Sequence, residues 1–321
     1  MANKTRKRGF KDLFIHNEIH LSGRIFCIHL PVFRKLYVYF DQIKNKKMSL
    51  ANKIISLLLL LASVFPAKAQ WKLVWSDEFN TDGKPDPNNW KAEQGFVRNH
   101  EQQWYQDANA YCKDGKLIIE AKKEAVKNPK YVANSSNWKE NREYSEYTSA
   151  SIITAGKQSW QYGRFEMKAK IDTRLGMWPA FWTLGNKGEW PENGEIDIME
   201  FYRGEILANT VHGSMEKWKG IWHTTKKPIT EFNDPEWSDK FHIWRMDWDE
   251  KSIKLYVDDF LMSSVDLEKT YNAKEPKANP FRQPHYILLG LAIGGDNGGD
   301  PSKTTFPAKF EVDYVRIYQK K

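Results

Sequence analysis

From residue 71 onward, apolar side chains recur at every second position in short runs. Lys116–Ala121, Gly163–Lys170, Ser252–Val257 and Tyr286–Ile293 each alternate or run apolar over six to eight residues, and clusters of Gly, Asn, Asp and Pro separate them. A period of two belongs to a β-strand with one buried face. No stretch keeps a 3.6-residue period long enough for a substantial amphipathic helix. Many short strands without a long helix predict an all-β sandwich in a single domain, with no internal repeat. The polar stretch 124–147 reads as a long loop, and Trp138 within it marks a candidate wall of a binding cleft.

One run strains the alternation. Glu195-Ile196-Asp197-Ile198-Met199-Glu200 places Glu195 and Asp197 on one face, but strict alternation sends Glu200 into the core. An unpaired buried glutamate costs several kcal/mol, so the sequence predicts a β-bulge at Ile198-Met199 that returns Glu200 to the acidic face. Three carboxyls crowded together raise the pKa of at least one. A protonated carboxyl beside an ionised one is the pair that hydrolysis of a glycosidic bond requires. Trp178, Trp182 and Trp190 precede the acids, and flat indoles suit sugar rings. A solvated acidic strand or a hard-cation site also fits the hexapeptide, but neither accounts for the aromatic residues.

The first 69 residues differ from the rest. Met48 opens a basic segment followed by the apolar run 54–65 and Ala67-Lys68-Ala69, the pattern of a signal peptide cut after Ala69. The apolar run is too short to span a membrane, and no cysteine follows the cut to carry a lipid. Residues 1–47 are then a leader or a start assigned too early. Residues 1–69 hold 13 Lys and Arg against 3 Asp and Glu, which leaves 36 basic and 38 acidic residues and a net charge of −2 in the remainder. The overall +8 therefore gives the mature part no basic footprint for nucleic acid or anionic membrane. Cys112 is the only cysteine after the cut, so no internal disulfide forms there and the residue reads as a small core hydrophobe.

Five motifs in order carry a resemblance. They are Trp75-Ser76-Asp77-Glu78-Phe79, Asn99-His100-Glu101-Gln102-Gln103-Trp104-Tyr105, Tyr162-Gly163-Arg164-Phe165-Glu166, Gly176 to Trp182 with the acidic hexapeptide, and Val312 to Tyr318. Together they resemble glycoside hydrolase family 16, and Met199 resembles its laminarinase and agarase branches. The resemblance implies a jelly roll of two curved antiparallel sheets with an open substrate cleft. It also implies a retaining, endo-acting β-glycan hydrolase in which Glu195 is the nucleophile, Glu200 the general acid/base, and Asp197 lies between them.

Asn99, Glu101 and Arg164 match family positions that line subsites for the sugar ahead of the cleaved bond. Trp178 is the expected stacking indole, with Trp182 and Trp190 beside it, and His212 an expected neighbour of the acids. Glu78 and Asp313 match positions that help hold a structural Ca²⁺; catalysis itself calls for no cofactor. The partner implied is a polysaccharide or oligosaccharide, acted on by a secreted or periplasmic monomer. A β-1,3- or mixed-linkage β-glucan is the expected substrate, with an agar-type galactan or poly-N-acetyllactosamine chain as the alternative. A transglycosylase uses the same acids. A non-catalytic sugar-binding jelly roll gives no reason for all three. The chain departs from many laminarinases at Gly290, at Gly294–Gly299 and at Phe201–Gly204, which bears on the sugar rather than on the reaction.

Overall fold

Seven strands form the sheet that carries the acids. From edge to edge they are Gly220–Pro228, Glu205–Gly213, Glu195–Tyr202, Met177–Gly185, His285–Ile293, Ser151–Ile153 and Lys91–Ala92, with every neighbouring pair antiparallel. The second sheet has eight strands. Its order is Phe260–Asp266, Ser252–Val257, His242–Trp248, Gly163–Lys170, Ala308–Lys320, Lys116–Ala121 and Ala110–Lys113, and Trp71–Asp77 pairs with the far half of Ala308–Lys320. The computed structural model describes residues 70–321, together with a short antiparallel pair, Ile19–Leu21 and Arg24–Phe26. The chain divides into two units, Met1–Ala69 and Gln70–Lys321, and both sheets belong to the second. Apart from that pair, residues 1–69, on which the leader and signal-peptide readings fall, lie outside the described residues. No helix among the described residues is long and apolar enough to cross a membrane.

The core lies between the sheets because each strand turns alternate apolar residues toward the other. The acid-bearing sheet sends in Met177, Phe181, Ile196, Ile198, Met199, Phe201, Leu289 and Leu291; the other sends in Phe165, Met167, Trp244, Met246, Trp248, Phe310 and Val312. Complete burial of each large side chain contributes roughly 2–3 kcal/mol. Part of the tryptophan content is core: Trp90, Trp237, Trp244 and Trp248 are buried in it. Cys112 sits there too, its thiol pushed up to about 11, chiefly by burial.

The stretch 124–147 is not a bare loop. Val126–Lys127 pairs with Tyr144–Ser145, and Tyr147–Ser149 runs parallel to Gln103–Tyr105. Arg142 pins it by donating to the carbonyls of Glu101 at 2.7 Å and His100 at 3.0 Å.

Candidate active site

The predicted bulge is present. Ala180 pairs with Glu200 and Phe181 with Met199, yet Trp182 pairs with Asp197, so Ile198 is the extra residue on the acid strand. The same shift falls between Asp197 and Glu200 on the other side of the strand. Ile198 and Met199 both enter the core, and Glu200 rejoins the acids on the open face.

Strand register then lays out that open face. In line with Glu195 come Val211 and Trp222 on one side and Leu184 and Tyr286 on the other. In line with Asp197 come Asn209 and Thr224, then Trp182 and Leu288. In line with Glu200 come Leu207 and Lys226, then Ala180, Gly290 and Ser151.

Each acid is held by donors. Trp190 Nε1 donates to Glu195 Oε2 at 2.9 Å, and Trp178 Nε1 donates to Glu200 Oε1 at 2.7 Å. Asn209 Nδ2 donates to Asp197 Oδ2 at 3.1 Å and to Glu200 Oε2 at 2.9 Å, so those two oxygens lie within about 6 Å of each other. Asp197 also lies against Glu195, a contact that favours its ionised form. Glu195 and Glu200 keep part of their side chains open, whereas Asp197 is buried.

Burial is the main force on all three carboxyls. It lifts Glu195 well above the usual carboxylate range, with repulsion from Asp197 and Glu200 adding to it. Burial likewise raises Asp197, and burial with the Asp197 charge raises Glu200 to about 8. Carboxyls this close share their protons, so the cluster as a unit carries fewer than three charges near neutrality and keeps a proton for a leaving group.

Asn209 is the residue that sequence reasoning missed. Its one signal is an amide set inside the apolar strand Glu205–Gly213. It is 3 % exposed, and its N–H groups favour the ionised acids. Asn209→Leu is therefore expected to raise the ionisations of the whole cluster, moving the basic limb of kcat/KM to higher pH, with a rate loss up to about 10²-fold. A pH–rate profile checks this; a loss with unmoved limbs would reduce Asn209 to packing.

Other expected positions need correction. Trp178 is only 6 % exposed, with its N–H committed to Glu200 and its ring edge-on to Tyr202, so it holds the acid rather than offering a face to sugar. Trp182 is the more open indole, with the Arg98 guanidinium 5.1 Å over its ring. Arg98 is paired with Glu93, which also accepts from Ser151 Oγ at 2.6 Å. His212 turns away from the acids: Val211 pairs with Glu195, so the next side chain points to the opposite face. There it stacks on His223 at 5.4 Å, held low at about 4 by burial and then by His223.

Arg164 lies on the other sheet, bound to Asp247 through two contacts of 2.7 and 2.9 Å, and is not brought to the acids. Glu101 is buried, accepting from Gln103 at 2.8 Å, and it braces the segment that carries Arg98. Asn99 is exposed at the end of that segment; a Cβ at Gly295 would come within 2.6 Å of its carbonyl oxygen, which explains the glycine there. Trp138 packs on His100 and Phe96 of the same segment, at ring distances of 4.9 and 5.9 Å.

Glu78 and Asp313 do not fit a cation site as they stand. Arg316 grips both oxygens of Glu78 at 2.9 and 2.8 Å, and Lys168 lies 2.7 Å from Asp313. Each carboxylate is already neutralised, and no cluster of three or more His, Cys, Asp or Glu able to hold a metal occurs among the described residues.

A bulged strand with three coupled acids and indole donors is a glycosidase arrangement, and the family comparison agrees. The model for glycosyl hydrolases family 16 matches residues 96–316. The chain belongs to this family. It is 36 % identical to a beta-glucanase of Rhodothermus marinus over 78 % of this chain and 85 % of that protein. The laminarinase catalytic domain of Thermotoga maritima matches at TM-score 0.65 and 33 % identity, covering 78 % of this chain and 99 % of that one. A structure from work on endo-acting O-glycanases, expressed by prominent members of the human gut microbiota to initiate mucin breakdown, matches at TM-score 0.72 and 36 % identity. It covers 80 % of this chain and 93 % of that one. Family 16 members are glycoside hydrolases that retain anomeric configuration, and this chain is one of them.

Proposed function

We propose that this chain is an endo-acting β-glycanase whose substrate is a β-1,3- or mixed-linkage β-glucan. The observation that carries the reading is the return of Glu200 to the face of Glu195 and Asp197 by the Ile198 bulge. Glu195, held by Trp190, attacks the anomeric carbon. Glu200, fixed by one N–H on each oxygen, protonates the departing sugar oxygen and then takes a proton from water. Asp197 lies against the nucleophile and, through its charge, keeps the proton on Glu200. The β-glucanase and laminarinase relatives support the glucan.

A β-galactosyl glycan is the second reading, on a specific observation. Gly290 sits beside Ala180 and leaves the floor in line with Glu200 without bulk, where many laminarinases carry Asn. The O-glycanase match also favours it.

Products from a panel of β-glucans, β-galactans and poly-N-acetyllactosamine chains decide between the two. Cleavage of β-glucan is expected, and cleavage of galactosyl chains alone would establish the second reading. NMR of the first product should show the β-anomer before mutarotation; an initial α-product would remove Glu195 from its role. Secretion through residues 48–69, as a monomer, belongs to the same proposal, and exported protein should begin at Gln70.

A further inference from the structure

We propose that Trp222 is a sugar-stacking platform of this site, binding a hexopyranose ring of the glycan chain two strands away from Glu195. The inference rests on the glycanase reading and adds a subsite to it. Val211 pairs with both Glu195 and Trp222, and no register shift interrupts either pairing there, so the Trp222 side chain shares the open face with the acids. Two strand spacings place it roughly 9–10 Å from the acid strand. Asn209, which pairs with Thr224 in the same ladder and touches Asp197, fixes that face independently.

Trp222 is 46 % exposed; Trp218 is exposed as well but lies in the turn before the strand, so Trp222 is the exposed indole that the ladder sets on the face of the acids. Its ring lies 6.4 Å from that of Trp190, whose N–H holds Glu195, so an aromatic surface runs continuously from the nucleophile outward. Gly220 supports it: a Cβ there would meet Val211 Cγ2 at 2.1 Å and lie 3.3 Å from Trp222 Nε1. The bare glycine thus lets the edge strand close on its neighbour with the indole against it. Lys226, Lys227 and Pro228 end this edge with charge and a missing donor, which opposes pairing with another protein strand. A flat apolar ring with open access beside a glycosidase nucleophile matches the C–H face of a pyranose, which leaves that sugar's hydroxyls in water.

Binding at a ring remote from the reacting bond is expressed in the rate on long chains. Trp222→Ala should therefore lower kcat/KM about 10-fold or more on oligosaccharides long enough to reach the platform, and leave the shortest cleavable oligosaccharides unchanged. Trp222→Phe should keep most of the long-chain activity, and Trp222→Leu should lose it. Trp218→Ala, in the exposed turn before Gly220, should change neither. The pH limbs of all four variants should match the parent. Equal loss at every length, loss in the Phe variant as in Leu, or a shifted acid limb would mean that Trp222 acts through Trp190 and Glu195, and would overturn the subsite. So would unchanged activity of Trp222→Ala at every length. If the parent enzyme cleaves no glycan at all, the glycanase reading itself fails, a result distinct from a parent that is active and a Trp222 variant that is indifferent.

Discussion

Glu195→Gln abolishes turnover on every substrate, including those with activated leaving groups, because no glycosyl-enzyme bond can form. Removal of a covalent nucleophile from a preorganised site costs roughly 10⁶-fold, so activity should fall to the limit of detection. The amide keeps the size of the side chain and can still accept from Trp190, so the fold is expected to survive. In a Glu195→Gly variant the space left admits azide, which should attack an activated β-glycoside directly and give the α-glycosyl azide. Steady-state assays with product NMR check both results. A β-glycosyl azide from this variant would assign the nucleophile elsewhere on the strand.

Glu200→Gln produces the second large effect, and it depends on the leaving group. Natural glycans need their departing oxygen protonated, so a loss of about 10²–10⁴-fold is expected on them. A phenolate that leaves unaided should still form the intermediate. Azide should then speed release by attacking without a base, giving a product of retained configuration. The same substitution carries a stability signature. The folded pKa of Glu200 is raised to about 8 by burial and by the Asp197 charge, so ionisation of this group is penalised only in the folded state. The penalty is absent below the unfolded carboxyl pKa of about 4.3 and grows as pH rises toward the folded value. Glu200→Gln should therefore raise the Tm near pH 8 and leave it unchanged near pH 4. Equal Tm values at both would mean that Glu200 ionises freely and holds no proton for catalysis.

These results would describe a site that is costly to the fold that carries it. Crowding three acids on one strand, one buried and two half-buried, opposes folding, and the surrounding donors offset only part of that cost. Trp178, Trp190 and Asn209 are therefore as much a part of the site as the acids they hold.

The acid strand was legible in the sequence because its information is local. Alternation fixes the faces, the cost of a buried charge forces the bulge, and the crowding of like charges implies shared protons. The strands 116–121, 163–170 and 252–257 were equally plain, since each core-facing residue is apolar in its own run. Side-chain partners were not legible, because pairing across a sheet joins residues far apart in the chain. Asn209 meets Asp197 and Glu200 through the register of a neighbouring strand, and Trp222 reaches the same face one strand further out.

For the same reason motif position alone misplaced several residues. Arg164 falls on the other sheet, His212 turns to the opposite face of its strand, and Glu78 and Asp313 are taken by Arg316 and Lys168. Trp178 and Trp182 lie on the same face four residues apart. Only the tertiary structure gave one its hydrogen bond to Glu200 and left the other open beneath Arg98. The sequence by itself determined the sandwich, the bulge and the three acids, because period, burial cost and charge act within one strand. Tertiary structure decided which side chains hold and flank them, because those contacts depend on how strands are registered.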